Sequence, residues 1–192
     1  MPRILLLAAA ALALLAGCAS DSQPRNVENA CAIFDERPHW RRAVDAAERK
    51  WGAPAHVQLA IIHQESAFRP DAEPPKRYAL GFIPWGRVSS AYGFSQAIDG
   101  TWDWYKEETG NGWASREDFD DATDFIGWYM DRSRRVNGIA MGDAFNQYLA
   151  YHEGHAGWRR GSWRSKQWLQ QVARKVQRRA ETYRRHIDIC DA

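Results

Sequence analysis

The stretch Leu59-Ala60-Ile61-Ile62-His63-Gln64-Glu65-Ser66-Ala67-Phe68 decides the reading of this chain. Val57, Ile61, Glu65 and Phe68 fall at i, i+4, i+8 and i+11, which places the Glu65 carboxyl on the apolar stripe of a helix. Pro70 is expected to stop that helix. A carboxyl held among apolar side chains resists ionisation, so it keeps its proton to higher pH and can donate it near neutrality. Opening a glycosidic bond needs such a donor, because the leaving oxygen must be protonated as the bond breaks. On spacing alone the alternative is a helix-end glutamate turned to solvent.

Two further blocks give the segment a context. Ser90-Ala91-Tyr92-Gly93-Phe94-Ser95-Gln96-Ala97-Ile98-Asp99-Gly100-Thr101-Trp102 follows it, and Ala150-Tyr151-His152-Glu153-Gly154 comes later. With Ala60-Ile61-Ile62-x-x-Glu65-Ser66-x-Phe68-x-Pro70, these three blocks resemble, in order, the motifs of the lytic transglycosylase (SLT) family, relatives of goose-type lysozyme. The second block is similar to that family's Gly-Leu-Met-Gln stretch and the Pro-Gly-Thr helix start, the third to its Ala-Tyr-Asn-Ala-Gly. Phe94-Ser95 stands where the family has Leu-Met, and His152-Glu153 where it has Asn-Ala. The stretch between Glu65 and Gly93 is longer than the family pattern.

The resemblance implies cleavage of the MurNAc–GlcNAc β-1,4 bond of peptidoglycan without water, leaving a 1,6-anhydro ring, with no cofactor. Glu65 takes the acid and then the base role. Ser66 fixes the local geometry of the motif and is grouped with Ser89, Gly93, Gln96 and Tyr151 as substrate-binding. Gly93 allows close backbone approach, and Tyr151 matches the family tyrosine whose hydroxyl lies near the catalytic carboxyl. Two rivals stand beside this reading. A hydrolytic muramidase needs a second carboxylate to activate water, with Asp71, Glu73, Asp99 and Glu153 as candidates. A non-catalytic peptidoglycan-binding lipoprotein needs no turnover at all. His152-Glu153-x-His155 is not the His-Glu-x-x-His metal pattern, its histidines being three apart, and no metal is expected.

Residues 1–17 read as a targeting segment: Arg3 precedes an apolar run, Ile4 to Ala16, too short to span a bilayer comfortably. Leu15-Ala16-Gly17-Cys18 resembles a bacterial lipobox, which implies lipid on Cys18, a membrane-held protein and, with Ala19 next, the outer membrane facing the periplasm. The alternative is an ordinary signal peptide. Polar residues 18–30 then read as a tether, and 31–192 as the catalytic domain. Cys31 and Cys190, near the two ends of the mature chain in an oxidising compartment, are expected to pair.

The chain carries 26 basic and 24 acidic residues, but the balance conceals polarity. Asp99 to Asp124 holds nine acids and two bases, and Arg159 to Arg185 ten bases and one acid. A basic end can attract anionic polymers; export argues against nucleic acid, and a solvated helix face is the simpler reading.

Helical periodicity dominates what remains. Trp40, Val44, Ala47 and Trp51 form one stripe, closed by Gly52; Phe119, Ala122, Phe125, Tyr129 and Val136 form another, closed by Gly138. Ala144, Phe145, Tyr148 and Leu149 continue the pattern. Leu169, Val172, Val176, Ala180, Tyr183 and Ile187 mark a long amphipathic C-terminal helix. No period-2 strand series is evident. The expectation is a mainly α, single domain, and the resemblance adds a lysozyme-like arrangement. Residues 71–92 interrupt it with Pro74, Pro75, Gly81, Pro84 and Gly86 among Tyr78, Phe82, Trp85 and Tyr92. This long aromatic loop either walls a glycan cleft by ring stacking on sugars or packs on itself.

Overall fold

The structure, a computed structural model, describes residues 22–79 and 83–192. The leader, Cys18 and Phe82 lie outside the described residues. Seven α-helices make up most of the rest: α1 (Ala30–Glu36), α2 (Pro38–Trp51), α3 (Ala55–Ser66), α4 (Asp99–Thr109), α5 (Phe119–Asn137), α6 (Ala144–Arg160) and α7 (Gln167–Cys190). A short 3₁₀ turn, Ser162–Ser165, joins the last two. The mainly α, lysozyme-like expectation holds.

Helix α3 is the centre. Leu59, Ala60, Ile61 and Ile62 are all fully buried, so this helix is apolar around its whole circumference. The reading of a single stripe was too narrow, because α7, α2, α5 and α6 all contact it. Pro70 does not stop it. The helix ends at Ser66, where Ala67 (φ 51°) and Phe68 (φ 62°) turn left-handed. Phe68 is therefore buried as a loop residue, not as the last of a helical stripe. Its ring stacks on Trp40 of α2 at 5.8 Å, and Trp40 also stacks on Phe119 at 3.9 Å and meets Phe94 edge-on at 5.4 Å. One aromatic cluster thus fastens the end of the Glu65 segment, the Gly93–Gln96 block and the start of α5 to the same tryptophan.

Three expectations change. Within 71–92 the chain forms a two-stranded antiparallel hairpin, β1 (Lys76–Ala79) with β2 (Ile83–Arg87), despite Pro84. A two-stranded ribbon has only edge strands, where a proline is tolerated. For Tyr78 and Trp85 of the aromatic loop only the backbone is described. Val136, read as part of the α5 stripe, is 42% exposed, because α5 outruns its packing there. The tether reading of 18–30 fails from Ser22 onward. Arg37 donates to the Ser22 hydroxyl at 2.8 Å, Gln23 to the Ala67 carbonyl at 2.7 Å, Pro24 is buried, and Glu28 pairs with Arg179 and His63. Asn29 then caps α1. Side-chain hydrogen bonding fixes this polar segment where composition suggested a free linker. Cys31 and Cys190 form a disulfide, with Cα atoms 5.9 Å apart.

Candidate active site

Glu65 occupies the last turn of α3, at the base of a cleft of about 430 Å³ whose walls include Gln96, Ile98, Thr101, Tyr129, Tyr151 and Glu153. Burial pushes its carboxyl up to about 7 from an ordinary value of 4.5, and a hydrogen bond from the Tyr148 hydroxyl opposes that rise. The carboxyl is half-buried and open to the cleft. It therefore exists in both protonation states near neutral pH, as a group that donates and then removes a proton must.

The backbone around it is strained. Among the described residues only Ala67, Phe68 and Gln96 (φ 51°) are non-glycines at positive φ. Each such residue costs on the order of 1 kcal/mol or more. Two stand two and three residues after Glu65, and the third lines the cleft. The Gln96 amide holds its own turn, donating to the carbonyls of Ala72 at 2.7 Å and Gly93 at 3.0 Å. Its Nε2 is thereby committed to the protein, and its carbonyl oxygen is the group left to offer a ligand.

Gly93 is required, but for the protein itself. With φ 74°, a Cβ there would lie 2.1 Å from the Arg116 carbonyl oxygen, which also accepts from the Phe94 amide at 3.1 Å. The close approach read from sequence is to this segment and not to a sugar. Ser66 is buried and donates to the Ile62 carbonyl at 3.2 Å, so it completes the helix and does not reach the cleft. Ser89 is exposed on the strand side, accepting from the Ala91 amide at 3.3 Å, and is not on the cleft wall. Tyr151 lines the cleft, yet its hydroxyl donates to the Ser95 carbonyl at 2.6 Å.

Tyr151 still lies near enough to Glu65 for that carboxyl to help push its hydroxyl up, and Tyr148, which the motif match passed over, also meets Glu65 and favours its carboxylate. Tyr148 lies three residues before Tyr151, hence on the same face of α6, and the apolar pattern had assigned it to the core. Arg116 was missed too. Its guanidinium donates to Ala97 O (2.7 Å), Ser90 O (3.0 Å) and Asp99 Oδ1 (2.8 Å), so one side chain clasps the whole Ser90–Asp99 block from behind.

Of the four candidates for a second carboxylate, Asp71 is exposed, Glu73 pairs with Arg87, and Asp99 pairs with Arg116. Only Glu153 enters the cleft. Lys166 at 2.7 Å, the Ser162 hydroxyl and His152 at 3.2 Å surround it and hold its carboxyl below the ordinary value, with burial opposing them. A carboxylate so stabilised is a weak base. His152 and His155 do not converge: His155 sits inside, 3.1 Å from the Ser133 hydroxyl and stacked on Tyr129. Among the described residues no three histidine, cysteine or acidic side chains group to hold a metal.

A helical lysozyme-like domain with one proton-poised glutamate at the base of a cleft is the architecture of a glycan-cleaving enzyme. The family model for the transglycosylase SLT domain matches residues 6–190, and the chain belongs to that family. It is thus a transglycosylase-type domain whose substrate is peptidoglycan. No curated protein matched the chain.

Proposed function

We propose that the protein is a lytic transglycosylase that cuts the MurNAc–GlcNAc β-1,4 bond and leaves 1,6-anhydroMurNAc ends. The Glu65 carboxyl donates its proton to the glycosidic oxygen as the C1–O4 bond breaks. The resulting carboxylate takes the proton of the C6 hydroxyl, whose oxygen closes on C1. Glu65 ends as it began, and no water is consumed. The substrate's own acetamido group can carry the positive charge that develops at C1, so one protein carboxyl suffices. The observation behind this reading is a single carboxyl at about 7 opening into the cleft, while Glu153 is committed to Lys166. Mass spectrometry of the released muropeptides tests it. Anhydro ends are expected, and they should vanish in Glu65→Gln with its folding retained. Reducing ends alone would indicate hydrolysis, and absence of any turnover would indicate a binding protein.

The location follows from the leader. Lipid on Cys18 anchors the protein in the outer membrane facing the periplasm, and Cys18→Ser should move it to the soluble fraction.

A further inference from the structure

The charge polarity of the sequence falls on opposite sides of the cleft. Helix α4, whose start supplies Ile98 and Thr101 to one wall, opens the acidic run. The bases near it are matched, Arg116 by Asp99 and Lys106 by Asp103. The other wall, His152 to Gly154, leads straight into the basic run. There Arg159 and Arg164 are exposed, and among the described residues no carboxylate pairs with either. Lys166 returns to the cleft edge. It gives one N–H to Glu153, whose side chain is 5% exposed, while its own remains 40% exposed. Beside it His152 is 38% exposed and meets Trp168, itself 55% exposed, edge-on at 5.2 Å.

This corner combines a tethered ammonium with two N–H groups to spare, an imidazole and an open indole face. The backbone of a peptidoglycan strand is neutral, and its charge sits on one kind of branch, the lactyl group of each muramyl residue and whatever that group carries. We propose that Lys166, His152 and Trp168 form a specificity site that binds a carboxylate of this branch and so fixes which edge of the strand faces α6. The carboxylate comes either from the free lactyl group of a denuded strand or from a stem peptide. Glu153 pre-orders the ammonium, which lowers the entropic cost of using it, and the surplus of cations along the Arg159 side supplies the field. Trp168 gives the adjoining sugar or alanine methyl an apolar surface. This inference rests on the peptidoglycan reading above.

The test measures binding to the chain carrying Glu65→Gln, so that no ligand is consumed. Three glycan oligomers of equal length are compared: one peptide-bearing, one denuded with free lactyl carboxylates, and one denuded with those carboxylates amidated. The charged oligomers should bind about 5- to 10-fold tighter than the amidated one, and raising salt from about 25 to about 300 mM should narrow the gap. Adding Lys166→Met should remove the gap and leave binding of the amidated oligomer unchanged, whereas Lys166→Arg, which keeps the charge beside Glu153, should retain most of the gap. Tight binding of the peptide-bearing oligomer alone assigns the carboxylate to the stem peptide, of the denuded oligomer alone to the lactyl group, and of both to a site that accepts either. Equal binding of all three, or an equal loss on substitution, overturns the site while the catalytic reading stands. Failure of the parent to bind any of them overturns both.

Discussion

Burying Glu65 has two consequences that can be measured apart, because one concerns the reaction and the other the fold. On the proposed mechanism the free enzyme needs Glu65 protonated, so kcat/KM should fall as pH rises through about 7. Tyr148 favours the carboxylate, and Tyr148→Phe should therefore move that limb roughly half a unit to one unit higher, at a smaller cost in rate than Glu65→Gln. An unmoved pH profile would mean that Tyr148 does not act on the acid. For stability, the folded value near 7 lies above the 4.5 of an unfolded chain. The native state gains nothing from this below about pH 4.5 that it does not lose as pH climbs through 7, by at most about 3 kcal/mol. Glu65→Gln, which never ionises, should raise the melting temperature by several degrees at pH 8 and leave it nearly unchanged at pH 4. Similar shifts at both pH values would show that the effect is packing and not charge.

At the level of elements, the cleft wall from Tyr92 to Ile98 has little regular structure of its own. It is held by Arg116, by the Gln96 turn and by Phe94 in the Trp40 cluster. Gly93→Ala should cost more than about 2 kcal/mol in denaturant melts, since it adds positive-φ strain to a collision with backbone. Arg116→Ala should loosen the wall with a milder loss of stability and raise KM more than it lowers kcat; Arg116→Lys restores one donor of the fork and should recover part of the loss. A pure stability effect in Arg116→Ala, with normal KM, would make the clasp irrelevant to the site. This wall also marks where sequence reasoning reached and where it stopped. The motif located Gly93 and Gln96, because a family pattern records which residues recur. It assigned Gly93 to a ligand because nothing local in the sequence connects it with Arg116, twenty-three residues on. Tyr148 was missed beside Tyr151 for a related reason: the two share a face, and seeing that both meet Glu65 requires the axial position of α6 against α3. Helix periods fix a face and not a translation along the axis.

On the scale of the whole molecule, the helices were legible because their stripes, Trp40 to Trp51 and Leu169 to Ile187 above all, repeat with the helical period over several turns. The central helix was less so, since a segment buried on every side has no stripe to read. The hairpin at 76–87 was invisible, being short and proline-bearing. The N-terminal segment misled because its polar groups are spent on Arg37, Ala67 and Arg179, partners far away in sequence. Reduction of the disulfide should lower stability by up to about 5 kcal/mol on the loop-entropy account, the bonded residues being 159 positions apart. Cys31→Ala/Cys190→Ala should reproduce that loss, and a double variant melting like the parent would assign the bridge no stabilising part.

The same bridge changes what a protease can do to this protein. Everything from Cys31 to Cys190, including the hairpin and the entire cleft, lies inside one covalent ring. A single cut anywhere within it opens the ring but releases no fragment, and the helices on either side stay joined through sulfur. A chain nicked at the hairpin would run as one species on a gel without reductant and as two with it. It would keep the Glu65 helix and the cleft wall in one molecule throughout.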